Sequence, residues 1–197
     1  VNSFDQKALV LDQSNGVLYV SGNNRKLMLA MGAPLVLPAQ TALAAITAAQ
    51  NLLTFGFGAG ALNVTGRKLR VKGTLLYSTT ATNVATISFA LTLGGVTLCT
   101  ITTAATNTAA SANLPIHFEF EITVATLGAT ATVESHGRVD ANIGTAAAAA
   151  VATYLDTNTA VSAAVNLAAA STLAVTIAAS AAVPSAQLRS ATLMYEA

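Results

Sequence analysis

The sequence predicts an all-β chain: an antiparallel β-sandwich, jelly-roll-like, of about eight strands, with an extended N-terminal arm and one or two short helices. Three observations predict it. Apolar residues alternate with polar ones in run after run beyond residue 51, which is the period of a half-buried strand. The runs recur at spacings of roughly 8 to 20 residues, with no βαβ rhythm. Charged residues are 9% and hydrophobic residues 53% of 197, yet the apolar residues never gather into the unbroken stretch of about 20 that a spanning helix needs.

Residues 1–50 read as the arm. ALVLD and VLYVSG flank Asn15-Gly16, a pair that accommodates the positive φ of a type I′ hairpin turn. Lys26 to Met31 offers a third short strand. Pro34 and Pro38 bar regular helix from APLVLPAQ and make it extended. TALAAITAAQN, Thr41 to Asn51, has helix-favouring alanines and Thr41 as an N-cap. These 50 residues lack the large side chains for a core of their own. They are expected to dock on something else, with Leu9, Val10, Leu18, Tyr19, Leu27, Leu35 and Leu37 as the oligomer and attachment contacts.

Residues 51–197 read as the sandwich. LLTFGF (52–57) opens it, and the Gly-rich GAGALNVTG follows. In RKLRVKGTLLYS (67–78), Leu69, Val71, Leu75 and Tyr77 share one parity, with Gly73 between them. VATISFALTL (84–93) and VTLCTITT (96–103) join through Gly94-Gly95, a two-residue hairpin turn. PIHFEFEITVAT (115–126) alternates most clearly, with Ile116, Phe118, Phe120, Ile122 and Val124 on one face and His117, Glu119, Glu121 and Thr123 on the other. A two-residue turn at Leu127-Gly128 would pair it with ATATVESHGRVD (129–140), setting Glu119 against His136, His117 against Arg138 and Ile122 against Val133. TAAAAAVATYLD (145–156) reads as a short helix capped by Thr145. VSAAVNLA is a weak strand, and TLAVTIAAS (172–180) and AQLRSATLMYEA (186–197) are strands. Eight strands in about 145 residues suit a jelly roll better than the seven of an immunoglobulin domain of about 100.

Composition narrows function. Net charge is +1, which gives no field to recruit nucleic acid or an anionic membrane. Arg67, Lys68, Arg70 and Lys72 cluster on one strand and read as a solvated or subunit-facing edge. The start, VNSFDQKALV, lacks the apolar core of a signal peptide. A membrane β-barrel would want aromatic girdles, and four Tyr with no Trp supply few. One cysteine, Cys99, excludes an intramolecular disulfide framework or a Cys-based zinc site. Ala and Thr fill about a third of the chain, far above ordinary usage. A surface so poor in charge is expected to be covered by other protein.

Three stretches carry a resemblance: FGAGALNVTGRKLRVKGTLLYS, LGGVTLCTITTAATNTAASANLPIHFEFEITV, and DTNTAVSAAVNLAAASTLAVTIAASAAVPSAQLRSATL. Together they span about residues 52 to 197 and resemble a domain recurring in virion proteins of tailed bacteriophages. The resemblance implies a jelly-roll-like structural module on the particle: a capsid decoration (cement) protein, or a head-fibre or tail protein. It implies a homo-oligomer, commonly a trimer, with an N-terminal arm gripping the major capsid protein or another virion protein. It brings no catalytic motif and no cofactor.

One constellation bears on chemistry. His117, Glu119, Glu121, Glu134 and His136 would line one face of a hairpin, and His117, Glu119 and His136 are the candidates for a divalent metal. The competing reading is a hydrogen-bonded polar ladder, which the alternation favours. Ser135, His136 and Asp140 suggest a hydrolase only on paper: there is no G-x-S-x-G elbow, and adjacent strand residues face opposite ways. The expectation is therefore a non-enzymatic virion structural protein with no cofactor and no nucleic-acid or membrane partner. The alternative is a surface sandwich that binds carbohydrate.

Overall fold

The computed structural model describes residues 8–12, 17–21, 27–28, 35–37, 43–44, 46–79, 85–104, 111–142, 151–156, 164–181 and 185–196. Its strands are β1 (Ala8–Asp12), β2 (Val17–Ser21), β3 (Leu27–Met28), β4 (Leu35–Leu37), β5 (Leu43–Ala44), β6 (Gln50–Phe57) and β7 (Lys68–Thr79). Then follow β8 (Ile87–Leu93), β9 (Val96–Thr102), β10 (Ser111–Val124), β11 (Val133–Asn142), β12 (Val151–Leu155), β13 (Ser171–Ala179) and β14 (Ser185–Glu196). Every strand pair is antiparallel. The larger sheet runs β12-β11-β10-β7-β14-β4, with β5 also on β14; the smaller runs β6-β13-β8-β9; β1, β2 and β3 form a third.

Alternation decides which side chains meet. Leu69, Val71, Leu75 and Tyr77 of β7, with Ile116, Phe118, Phe120 and Ile122 of β10, are buried against the smaller sheet's Ile87, Phe89, Leu91 and Leu93. Phe89 and Phe118 meet across the sandwich with centroids 6.1 Å apart. Residues on two facing sheets thus close one core. Gly94 and Gly95 take φ of 58° and 81°, the left-handed pair a type I′ turn requires. The chain passes back and forth between the sheets, β6 to β7 and β12 to β13 to β14, in the jelly-roll manner expected.

Four details differ from the sequence reading. The helix expected over Thr41 to Asn51 is replaced, where described, by β5, a turn at Ile46–Ala48 and the start of β6. Three turns of isolated helix are marginal, and pairing with β14 satisfies the same backbone groups. The helix expected from Thr145 is strand β12 over its last residues. Val151, Thr153 and Tyr154 favour strand, and β11 offers an edge to pair with. VSAAVNLA contributes only the bridge Ala131↔Val165 among its described residues. The β10–β11 register is moved by two: Glu119 faces Arg138, His117 faces Asp140, Glu121 faces His136, and Ile122 faces Ser135. The turn is wider than two residues, because the ladder closes at Val124↔Val133 and Thr126 and Thr132 join by their hydroxyls at 2.9 Å. A shift of two keeps every side chain on its expected face.

Asn15, Gly16, Pro34, Pro38, Thr41 and Thr145 lie outside the described residues. Of the attachment candidates, Leu9 and Val10 are in β1, Leu18 and Tyr19 in β2, and Leu27 in β3. Leu35 and Leu37 are in β4, opposite Leu193 and Ala191 of β14. No helix among the described residues is long and apolar enough to cross a membrane.

Candidate functional site: the outer face of the larger sheet

The polar parity of β7, β10, β11 and β14 assembles cross-strand rows. One row reads Arg138, Glu119, Lys72, Thr192; the next reads Asp140, His117, Thr74, Ser190; a third reads His136, Glu121, Arg70, Met194. Charge alternates along the first row. Lys72 Nζ is 3.1 Å from Glu119, and Arg70 Nη2 is 2.6 Å from Glu121 Oε2. Arg70 also lies 3.5 Å from Glu119 and 3.7 Å from Glu196, while Lys68 Nζ lies 3.2 Å from Glu121. The hydrogen bond from Arg70 holds the Glu121 carboxyl below its ordinary range, and that bond in turn raises the Arg70 guanidinium. Partial burial pushes Asp140 up, but hydrogen bonds from Thr153 and Arg138 outweigh it and leave the group lowered.

Between these long side chains, Thr74, Ser190 and Thr192 are short. They line a depression of about 450 Å³ with Lys72, His117, Glu119, Arg138 and Asp140. Thr74 Oγ1 and His117 Nδ1 share a hydrogen bond of 2.9 Å. β14 carries a β-bulge between Leu188 and Ser190, beside the depression. Arg189 is the extra residue there, so Ala186 and Leu188 before it and Ala191, Leu193 and Tyr195 after it all face the core. A strict alternation across β14, as the sequence suggests, would have turned one of those groups outward.

The metal candidates are not brought together. His117 and His136 stand two rows apart, about 13 Å along the strands at some 3.3 Å per residue. Glu119 is paired with Lys72 and Arg70. Among the described residues, no group of three His, Cys, Asp or Glu side chains is placed to hold a metal. Ser135 points into the core and donates to Leu98 O at 2.9 Å, whereas His136 is exposed on the opposite face, so no hydrolytic triad forms. Cys99 is buried, and burial pushes its thiol well up, away from nucleophilic use.

The smaller sheet presents the reverse picture, which the sequence did not flag as a unit. β6, β8, β9 and β13 contain no Asp, Glu, Lys, Arg or His. Their outward positions are Thr, Ser, Ala, Asn and Gly, as in the cross-strand row Thr54, Ala174, Thr92, Thr97. Ser88 and Thr102 join there by their hydroxyls at 2.8 Å.

No family model and no curated protein matches the chain. Among solved structures it is similar to the CBM2 module of the evolved Dit of Lactobacillus casei BL23 phage J-1, at 10% identity over 71% of this chain and 66% of that one, TM-score 0.29. It is similar also to galectin LEC-6 of Caenorhabditis elegans, at 9% identity over 75% of this chain and 94% of that one, TM-score 0.22. The alginate lyase of Klebsiella pneumoniae matches at 9% identity over 64% and 57%, TM-score 0.20. With TM-scores this low, the likenesses assign neither function nor site.

Proposed function

We propose that this chain is a non-enzymatic structural component of a tailed-phage virion, a self-associating decoration of the capsid held to the shell through residues 1–50. The observation that carries the reading is the outer face of the smaller sheet, whose four strands hold no charged residue. Soluble proteins keep such broad faces charged; an uncharged face of small side chains suits close approach by another subunit. The sequence resemblance over residues 52–197 supplies the setting. Light scattering of the full chain at micromolar concentration tests it. The wild type is expected as a multiple of the chain mass, and Ala90→Arg, at the centre of that face opposite Thr176 and Thr100, is expected to lower it. A monomeric wild type overturns the reading.

The depression on the other face favours a second reading, carbohydrate binding. Its volume lies in the range of ligand sites, about 300–1,000 Å³, and Lys72, Glu119, Arg138 and Asp140 offer donors and acceptors with no net charge. The described residues place no exposed aromatic ring beside it as a stacking platform, which is why assembly stands first.

A further inference from the structure

We propose that the open edge of β12 pairs with β12 of a second copy, antiparallel about Thr153, so that the larger sheet continues through two molecules. The choice of a second copy rests on the self-associating reading above. The geometry of the edge itself does not.

Hydrogen bonding shows which groups face outward. Asp156 N–H donates to Gly137 O at 3.0 Å, one step beyond the register pair Arg138↔Leu155. Directly opposed residues in an antiparallel pair alternate between bonded and non-bonded. Tyr154 and Ala152 therefore bond to Val139 and Ala141, and Val151, Thr153 and Leu155 turn their N–H and C=O groups away from β11. Among the described strands none lies on that side.

Open edges are normally blunted, and the other edges of this sandwich are. β6 and β9, at the two edges of the smaller sheet, each carry a bulge, at Leu52 and Leu98. β4 and β5, at the far edge of the larger sheet, are three and two residues long. β12 has none of these devices. Its register with β11 is regular over five residues, and VATYL has no charge and no proline. Val151 is 70% exposed and Leu155 63%, so two of the four exposed large hydrophobic side chains of the described residues sit on this one strand.

The strand is complementary to itself. Antiparallel pairing about Thr153 sets Thr153 against Thr153 and each Val151 against a Leu155. All three positions are outward-facing, so each becomes a bonded pair: two hydrogen bonds at the Thr153 pair and two at each Val151–Leu155 pair. Apolar meets apolar at both Val151–Leu155 pairs, which suits cross-strand neighbours, and each Thr153 hydroxyl keeps its bond to Asp140 of its own chain. The contact is isologous and joins copies two by two.

Charge variants of the full chain test both pairing and register by solution mass. Val151→Lys with Leu155→Lys sets like charges opposite each other and is expected to halve the assembled mass. Val151→Lys with Leu155→Glu sets opposite charges together in the same register and is expected to restore it. Amide exchange adds an independent readout: the Val151, Thr153 and Leu155 amides should be protected in the wild type and exchange at least tenfold faster in the double-lysine variant. A monomeric wild type overturns this pairing together with the assembly reading. A wild-type oligomer whose mass and edge protection survive the two lysines overturns the β12 contact alone, as does failure of the Lys/Glu variant to recover mass while remaining folded by circular dichroism.

Discussion

A β-carbon built on Gly73 would lie 2.2 Å from Cζ of Phe118 and under 3.0 Å from two more atoms of that ring. Gly73 stands directly opposite Phe118 in the β7–β10 register and opposite Ala191 on β14, so the ring lies over the bare backbone at the middle of the larger sheet. Gly137 repeats the arrangement beneath Phe120, where an added β-carbon would also meet Ile101 and Cys99. The sequence shows a glycine interrupting the apolar parity of β7, which signals close approach, but nothing in it names Phe118 as the occupant. Overpacking of this kind costs about 1–3 kcal/mol. Gly73→Ala is therefore expected to destabilise the chain by that amount in urea titrations. Gly58→Ala, where an added carbon meets nothing within 4 Å, should do far less. Combining Gly73→Ala with Phe118→Leu should show coupling, with less than additive loss; strict additivity would mean the ring is not what the methyl meets.

At the scale of elements, the strands and the Gly94-Gly95 turn were legible, while the β10–β11 turn and the bulges were not. Period-two patterning located β6 to β11, β13 and β14 to within a few residues, because one face of each strand is buried and the other is not. It failed where the structure depends on the partner strand. Val151–Leu155 becomes a strand because β11 has an edge to pair with, and the β10–β11 register moves because the turn is stabilised by Thr126 and Thr132. Bulges in β6, β9 and β14 depend on the partner strand and leave no mark in composition. The polar rows depend on register too, and they carry a pH dependence. Glu121 is held below its ordinary range, chiefly by the Arg70 hydrogen bond. A depressed carboxyl contributes stability above its unfolded value, near 4.3, and loses it as pH falls through its folded value. Both partners are partly exposed, with side chains 20% and 30% accessible, so the contribution is about 1 kcal/mol. Glu121→Gln should be less stable than wild type by that amount at pH 7, and the difference should shrink toward zero at pH 3. An equal difference at both pH values would show that geometry, not charge, carries it.

Over the whole molecule, the scarcity of charge resolves into two unlike faces. Nine Lys and Arg and eight Asp and Glu serve 197 residues, and the larger sheet's outer face concentrates them in rows that pair internally: Lys68, Arg70 and Lys72 against Glu119 and Glu121, and Arg138 against Asp140. The smaller sheet has none. Composition alone announces that the surface is poor in charge; only the strand order shows that the strands of one whole sheet are empty of it, because β13 lies between β6 and the β8–β9 hairpin and is far from both in sequence. If copies associate through that face and through the β12 edge, the contacts contain no ion pairs, and salt has little to screen. Raising NaCl from 0.1 to 1 M shortens the screening length from about 10 to about 3 Å, which weakens association between exposed charges. The assembled mass of the full chain is therefore expected to stay constant across that range, or to rise if association is incomplete at low salt. Charge-poor apolar and hydroxyl contacts are not screened, and salts excluded from protein surfaces strengthen burial. Dissociation at 1 M NaCl would place the charged rows, not the neutral face, between the subunits.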